Sequence, residues 1–476
     1  MRATTSLLVS LALFADPAAT QAAAAPPAAE TTQQREARMQ WWRDAHFGLF
    51  VHWGLYSGLA GTWNGKAVGT QGGMEWIQHY VKADTATYAK EALPKFQPRA
   101  GFAVQWAKLA KAAGCQYVVF TTKHHDGFAL HDSKVTDFDA GSVLGRDLVA
   151  EITAALRAEG LRVGFYHSVI DWHHDQYEYA RSKQLPHPRH EDAYAPGSRD
   201  HGRYLDHLFA QVGELLAQRP DIVWWDYSAL DFQGDAAWRA GELLQLVRSR
   251  LPDVIVNNRL YRSREAGWAS MGTDGYLPQL DPRFGDFLTP EQHVPPTGMP
   301  GVDWETCMTM NTTWGYSDHD VAWKPAKELL HNLIDITSKG GNFLLNIGPR
   351  ADGSVPQPSV EALQTIGAWM AQNGAAIHGT RPAFADLPFG RSTRKALSAT
   401  TSRLFLHVFA RPADGKLVLP AAEYLAGTCR LLADGTALPT SLDGNQRTVV
   451  QLPEGLVVDL PVVVAIDLAS STASGK

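Results

Sequence analysis

Short apolar runs alternate with amphipathic segments along most of the chain, from about residue 41 to residue 375. The runs have the length and composition of buried strands, and they cover residues 47–53, 116–121, 162–167, 222–225, 254–257, 305–310 and 343–347. Between several of them, apolar residues recur three and four positions apart, which predicts helices at 103–113, 148–158, 204–218 and 238–250. This alternation predicts an α/β fold with a parallel sheet, because parallel strands need a crossover between them.

The number of strand–helix repeats indicates which kind of parallel sheet the chain forms. Seven or so strand–helix units over roughly 340 residues suggest a (β/α)8-like barrel, possibly irregular. A doubly wound open sheet is the alternative. No Gly-x-Gly-x-x-Gly motif opens a predicted helix and no Walker-type loop occurs, which weakens the nucleotide-binding forms of that alternative.

The sequence pattern changes after about residue 381. Short apolar runs are then separated by Asp-Gly turns at 414–415, 434–435 and 443–444, as in antiparallel sheets. At 476 residues the chain is also too long for one ordinary core. We therefore predict the barrel at residues 39–381 and a small antiparallel β-sandwich at 382–476, which supports the barrel and has no chemistry of its own.

The N-terminus has the layout of a secretory signal peptide. Arg2 precedes an apolar stretch at residues 7–14, and Ala22-Ala23-Ala24 supplies a small-residue cleavage site. We predict that residues 1–24 are removed on export, to the periplasm or the exterior, and that residues 25–38 form a flexible lead-in. No later segment reaches about 18 uninterrupted apolar residues, so no membrane span is predicted.

Charge and cysteine content argue against two classes of protein. The formal net charge is −6 and basic residues are scattered, whereas a nucleic-acid partner requires a concentrated basic surface. Cys115, Cys307 and Cys429 are too few and too scattered for a disulfide framework or a Cys-based metal site, so we expect buried thiols.

Polar and aromatic residues cluster where the predicted strands end. In a parallel barrel, reactive side chains lie at the carboxyl ends of the strands. These ends are His52-Trp53, His124-His125-Asp126, Tyr166-His167, Trp224-Trp225-Asp226, Asn258-Arg259 and Asn346, and two acidic stretches follow at 286–291 and 303–305. Such a composition is typical of an active site.

The histidines admit two interpretations. They could bind a metal, but barrel metal sites usually place His-x-His on one strand so that both rings share a face. His124 and His125 are adjacent, and they can share a pocket only if the strand has already ended. Hydrogen bonding to a polyhydroxylated ligand suits these residues better, because a neutral imidazole donates and accepts at once.

Three carboxylates are candidates for the chemistry. Asp226 ends the apolar run 221–226, where an ionised group needs either hydrogen-bond donors or a catalytic role. Capping of a following helix is the structural alternative. Glu291 lies in an irregular Thr-Pro-Glu-Gln stretch, and Glu305 follows Trp304 in a predicted strand. A retaining glycosidase needs an ionised nucleophile and a protonated acid roughly 5–5.5 Å apart.

Several long motifs, in a fixed order, carry a family resemblance. They are Phe47-Gly-Leu-Phe-Val-His-Trp-Gly-Leu-Tyr-Ser57, Thr122-Lys-His-His-Asp-Gly-Phe128, Trp224-Trp-Asp226, Trp304-Glu-Thr-Cys-Met-Thr309 with Trp314-Gly-Tyr316, and Gly340-Gly-Asn-Phe-Leu-Leu-Asn-Ile-Gly-Pro349. These blocks resemble the signatures of the α-L-fucosidases of glycoside hydrolase family 29, and the match covers residues 41–381. The resemblance implies hydrolysis of terminal α-L-fucosyl residues through a covalent fucosyl–enzyme intermediate, with no metal or organic cofactor. The expected partner is a fucosylated oligosaccharide or glycoconjugate.

The same resemblance implies roles for individual residues. Asp226 corresponds to the nucleophile and Glu291 to the acid/base, with Glu305 as a second candidate. The sugar-binding positions correspond to His52, Glu75, Trp76, His124, His125, Trp224, Arg259 and Trp314. A tyrosine pair of some relatives is Tyr166-His167 here, and either residue could face the sugar. A metal-dependent hydrolase and a non-catalytic fucose-binding protein are the rival functions, and the presence of both carboxylates disfavours the second.

Overall fold

The computed structural model describes residues 30–69, 73–177, 199–226, 238–260, 285–385, 387–420 and 425–469. Strands before residue 381 are β1 (Phe47–Val51), β2 (Thr62–Trp63), β3 (Lys66–Ala67), β4 (Tyr117–Lys123), β5 (Arg162–Ser168), β6 (Ile222–Asp226), β7 (Ile255–Val256), β8 (Glu305–Thr309) and β9 (Asn342–Ile347). The longer helices span Thr32–Ala45, Phe102–Ala112, Leu148–Ala158, His201–Leu216, Ala240–Arg250, Ala326–Ser338 and Gln357–Asn373. Shorter helices span Leu55–Leu59, Ile77–Tyr80, Thr85–Ala92 and Ala140–Leu144.

Seven of these strands form one curled parallel sheet, in the order β7-β6-β5-β4-β1-β9-β8. Helices with a buried apolar stripe cover its outer face, and aspartates start two of them. Asp147 accepts a hydrogen bond from the amide of Ala150, and Asp200 accepts one from the amide of Arg203. Because the seven strands run parallel, all their carboxyl ends lie at the same end of the sheet.

Residues 287–291 lie between the two edges of the sheet. Isolated parallel bridges join Asn257 to Phe287, Leu288 to Trp304, and Glu291 to Cys307. Pro290 has no amide hydrogen, so this segment cannot form a continuous ladder. The result is a barrel with an irregular eighth stave, residues 287–291, which ends at Glu291.

The helix Thr32–Ala45 closes the amino-terminal end of the barrel. Its Met39 and Trp42 pack with the side chains that fill the barrel interior, among them Phe50 and Phe287. Its Arg38 donates to the Asp286 carboxylate at 2.8 Å, immediately before the eighth stave. Arg248 donates to the same carboxylate at 2.8 Å.

This helix differs from the prediction for residues 25–38. Residues 32–38 are helical rather than a flexible lead-in, because Thr31 and Gln34 form a capping box and Arg38 has a buried acidic partner. The partner lies 248 residues along the chain, so local composition gave no sign of it. The predicted signal peptide at residues 1–24 lies outside the described residues.

The C-terminal part is antiparallel. Its strands are β10 (Arg381–Pro382), β11 (Gly390–Ala396), β12 (Thr401–Val408), β13 (Lys416–Val418), β14 (Leu425–Leu431), β15 (Thr440–Leu442), β16 (Thr448–Gln451) and β17 (Val462–Ala469). They form a five-stranded sheet, β10-β11-β12-β17-β14, and a three-stranded sheet, β13-β16-β15. Leu404, Leu417, Val450 and Ile466 belong to one core shared by both sheets.

The predicted fold class, a barrel-like parallel sheet followed by an antiparallel sandwich, is confirmed. In the described part of the chain, no helix combines the length and the apolar character needed to cross a bilayer.

Candidate active site

Asp226 ends β6 at the open, carboxyl-terminal end of the barrel. Its Oδ2 accepts a hydrogen bond from the Tyr166 hydroxyl at 2.7 Å, and its Oδ1 accepts one from Arg259 Nη1 at 2.8 Å. Burial acts to raise the pKa of Asp226, but the Arg259 guanidinium, together with the Tyr166 hydroxyl, outweighs burial and holds that pKa below its ordinary value. Asp226 is therefore an oriented, ionised carboxylate, with 13% of its side chain still exposed.

Arg259 joins two carboxylates through one guanidinium. Its Nη1 contacts Asp226, and its Nη2 donates to Glu291 Oε2 at 2.6 Å. Its Nε donates to Thr289 Oγ1 at 2.8 Å, and its charge lies 4.5 Å from the centre of the Trp224 ring. Burial acts to lower the pKa of Arg259, but the two carboxylates raise it well above its ordinary value. The site thus holds a permanent cation between an acid at the end of β6 and an acid at the end of the eighth stave.

Glu291 and Glu305 occupy different depths of the barrel. Glu291, at the end of the eighth stave, has 23% of its side chain exposed. Glu305 begins β8 and is fully buried; it accepts hydrogen bonds from the Tyr117 hydroxyl and from Trp224 Nε1. Burial raises the pKa of Glu305 to about 7, against the effect of those two donors. Of the two, only Glu291 reaches the open end.

His52 follows β1 and lies in the same rim of side chains. Its Nδ1 is 2.7 Å from the carboxamide oxygen of Asn346, and its ring centroid lies 5.0 Å from that of Trp314. Burial lowers the pKa of His52 to about 4, so the ring is neutral near pH 7.

His124 and His125 share the pocket because β4 ends at Lys123. Their ring centroids are 4.1 Å apart. His124 stacks parallel to the Tyr166 ring at 5.3 Å. His125 places Nδ1 2.7 Å from Ser168 Oγ and Nε2 4.0 Å from Asp226 Oδ2. Burial lowers the pKa of both rings, for His125 to about 3, so both are neutral hydrogen-bonding groups.

Glu75 and Trp76 reach the site from the short 3₁₀ turn Met74–Trp76. Glu75 is buried and accepts a hydrogen bond from the amide of Gly315 at 2.9 Å. Burial, together with the charges of Glu291 and Asp226, raises the pKa of Glu75 to about 8. The Trp76 ring lies 4.9 Å from the His125 ring, which makes it one wall of the pocket.

Tyr166, and not His167, faces Asp226. The register pairs Tyr166 with Trp224, so both point to the barrel interior. His167 is on the opposite face of β5, with its Nδ1 3.0 Å from Thr122 Oγ1. There it lies near the buried ion pair in which Lys123 Nζ is 3.0 Å from Asp171 Oδ2. His167 was a candidate sugar-binding residue, and strand alternation places it outside the site.

Comparisons with known proteins agree with this geometry. The family model described as alpha-L-fucosidase matches residues 13–375, which is most of the chain. The chain belongs to this family. The α-L-fucosidase of Dictyostelium discoideum is 28% identical over 453 residues, covering 90% of this chain and 89% of that protein.

Solved family members have the same fold. Isoenzyme 1 from Paenibacillus thiaminolyticus is 36% identical, with a TM-score of 0.79 over 91% of this chain and 99% of that one. A family 29 α-L-fucosidase from Bacteroides thetaiotaomicron is 29% identical, with a TM-score of 0.77 over 90% and 95% of the two chains. The latter structure is of a covalent intermediate trapped with 2-fluoro-fucosyl fluoride in a variant with Gln in place of a Glu.

The α-L-fucosidase fold thus brings most of the predicted site residues together around Asp226. Glu305 lies one layer below, and His167 lies outside. Sequence reasoning gave no role to Ser168, which contacts His125, or to Trp172, whose ring lies 5.4 Å from that of Trp76. Ser168 lies two residues after Tyr166 on β5, so both side chains are on the same face of the strand. Knowing which face Tyr166 occupies would therefore have placed Ser168 in the site. Trp172 lies in a loop, and no sequence pattern pointed to a role for it.

Metal binding was the rival interpretation of the histidines. Within the described ranges, no group of three or more His, Cys, Asp or Glu side chains is arranged to hold a metal ion. His52 and His125 each place Nδ1 against a neighbouring oxygen, Asn346 Oδ1 and Ser168 Oγ respectively. For His125, Nε2 lies 4.0 Å from Asp226 Oδ2.

Proposed function

We propose that this α-L-fucosidase family member is a retaining exo-glycosidase that releases terminal α-L-fucosyl residues from glycans or glycoconjugates. One observation carries the choice of the catalytic pair: Arg259 joins two partly exposed carboxylates, Asp226 and Glu291, at the open end of the barrel. A retaining mechanism needs such a pair, one group as nucleophile and one as acid.

In the first step, Asp226 attacks the anomeric carbon while the bond to the departing oxygen breaks. Glu291, in its protonated form, gives its proton to that oxygen, and the sugar becomes an ester of Asp226. In the second step Glu291, now ionised, takes a proton from water as the water attacks the same carbon. The ester bond breaks, fucose leaves, and Asp226 is again a carboxylate. The nucleophile and the proton come from side chains, so the proposed chemistry calls for no cofactor.

The pocket chemistry supports L-fucose as the substrate. His52, His124, His125 and Glu75 offer hydrogen-bonding groups for the sugar hydroxyls. Trp76, Trp224 and Trp314 offer apolar faces for the C–H groups and for the C6 methyl. Buried neutral imidazoles bind hydroxyls without the desolvation cost of a charge.

The nucleophile assignment is tested with Asp226→Ala. We expect the variant to lose nearly all activity on an aryl α-L-fucoside, and added azide to restore turnover in part by forming β-L-fucosyl azide. Asp221→Ala is the matched control, because Asp221 lies just before the opposite end of β6 and contacts Arg162 and the amide of Val163. Wild-type-like turnover by Asp226→Ala would refute the role of Asp226.

We also propose that the protein is exported after removal of residues 1–24, and that residues 382–476 form an accessory domain without chemistry. Sequencing the N-terminus of protein recovered from outside the cytoplasm should give a start near residue 25. Protein that keeps residues 1–24 after expression in its native host would contradict the export proposal.

A further inference from the structure

Asn346 lies in the rim of the pocket, but the mechanism proposed above gives it no part. It is near the end of β9, and its side chain is buried. Its carboxamide makes two contacts. The oxygen lies 2.7 Å from His52 Nδ1, and the nitrogen donates to the main-chain carbonyl of Trp314 at 2.8 Å.

These two contacts determine the tautomer of His52. The Trp314 carbonyl can only accept, so the amide NH₂ of Asn346 must face it. The amide oxygen then faces His52, and the hydrogen of that imidazole must be on Nδ1. The ring is buried and neutral, so Nε2 carries a lone pair. Nε2 makes no hydrogen bond to the described residues.

Among the described residues, His52 has no other hydrogen-bond partner that would reverse this assignment. The charged groups acting on the ring are Asp226 and Arg259, which have opposite effects. His124 and Tyr166 contact it through ring faces and edges, with centroids 5.8 and 5.3 Å away. The Asn346 contact is therefore what sets the position of the ring hydrogen.

We propose that Asn346 is a positioning residue, which holds His52 as the Nδ1–H tautomer so that Nε2 accepts a hydrogen bond from a hydroxyl of the bound fucosyl residue. The same carboxamide fixes the main chain of Trp314, so one side chain sets both a polar and an apolar contact of the sugar. This inference rests on the proposed function for the identity of the ligand, but the tautomer can be measured without any ligand.

The first test is a ¹⁵N NMR measurement of the histidine rings in the wild-type protein, with His52 assigned by its loss in His52→Gln. We expect the Nδ1–H tautomer from pH 5.5 to pH 8. An Nε2–H tautomer, or an equal mixture, would overturn the proposal even if the enzyme is fully active.

The second test is Asn346→Asp, which keeps the shape but places a carboxylate beside His52 Nδ1. The ring should then gain a second proton and remain an imidazolium at pH 6.5, so that Nε2 becomes a donor. We expect KM for an aryl α-L-fucoside to rise about tenfold to a hundredfold, because a donor replaces the acceptor that the hydroxyl needs. The rise should shrink at alkaline pH as the ring loses its extra proton. The lost donor to the Trp314 carbonyl should add a part that does not change with pH. A rise in KM with no pH-dependent part would overturn the proposal.

Asn342→Asp is the matched control on the same strand. Asn342 donates to the Trp42 carbonyl and does not contact His52. This variant should lose stability without moving the His52 resonances or the pH dependence of KM.

If Asn346→Asp does not fold, Asn346→Leu replaces it, and a wild-type-like Nδ1–H signal in that variant would overturn the proposal. Absence of turnover by the wild-type enzyme would instead contradict the proposed function, with the tautomer still open to measurement.

Discussion

At the scale of single residues, Arg259 contacts both proposed catalytic carboxylates. Lysine cannot reproduce its planar fork, which reaches Asp226, Glu291 and Thr289 together. Because at least one charged hydrogen bond is lost, we expect Arg259→Lys to lower kcat/KM on an aryl α-L-fucoside about a hundredfold. Arg248→Lys is the control, since Arg248 contacts Asp286 away from the site. Equal effects of the two substitutions would show that Arg259 has only a structural role.

Because Glu291 and Glu305 lie at different depths, we expect opposite results when each is replaced. Glu291→Ala should slow hydrolysis strongly when the leaving group is poor and much less when it is good, because only a poor leaving group needs a proton. Glu305→Gln should change neither rate much, since Gln resembles the protonated carboxyl that burial favours there. Steady-state kinetics on a series of aryl α-L-fucosides would decide. A steep leaving-group dependence in Glu305→Gln instead would exchange the two assignments.

At the scale of elements, the turn after β4 depends on a glycine. Gly127 has φ +83°, and a Cβ there would lie 2.3 Å from Asp171 Oδ1. That carboxylate forms the buried ion pair with Lys123, and breaking a buried pair is costly. We expect Gly127→Ala to lower the free energy of unfolding by about 3 kcal/mol in urea denaturation. Gly145→Ala has a similar φ of +65° with no atom within 4 Å, so it should cost only the backbone strain. A similar loss in both variants would rule out the clash.

An element can be predicted from the sequence when the residues that cause it are close together in the chain. Strands β1, β4, β5, β6, β8 and β9 show as apolar runs, and most strand-end residues of the site follow directly from them. The eighth stave does not show, because Pro290 interrupts its ladder and its partners are β7 and β8. Tyr166 and His167 could not be separated either, because their faces depend on the pairing of Tyr166 with Trp224. Register is a property of two strands and cannot be read from one.

At the scale of the whole molecule, buried titratable groups should give stability a maximum near pH 6.5. Burial lowers the pKa of eleven described histidines, namely His46, His52, His79, His124, His125, His167, His174, His207, His331, His378 and His407. Below pH 6.5 the unfolded chain binds more protons at these rings, so stability falls as pH falls. Glu75 and Glu305, with pKa values raised to about 8 and 7, act oppositely: the folded state keeps their protons, and stability falls as pH rises toward 8.

Urea unfolding at pH 5, 6.5 and 8.5 would check this expectation. The free energy of unfolding should be largest at pH 6.5, and Glu75→Gln should flatten the alkaline decline because Gln has no proton to lose. A steady increase in stability from pH 5 to pH 8.5 would contradict the expectation.

The N-terminal helix that closes the barrel has a consequence for the order of events during synthesis. Arg38 is made early, yet its partner Asp286 follows 248 residues later. At about 10 residues per second, the ribosome needs about 25 seconds to supply that partner. Throughout this interval Met39 and Trp42 lack Phe287, with which they later pack. Of the described helices, the one nearest the N-terminus thus lacks its final partners until residues 286 and 287 are made, and a nascent chain that ends before residue 286 lacks both.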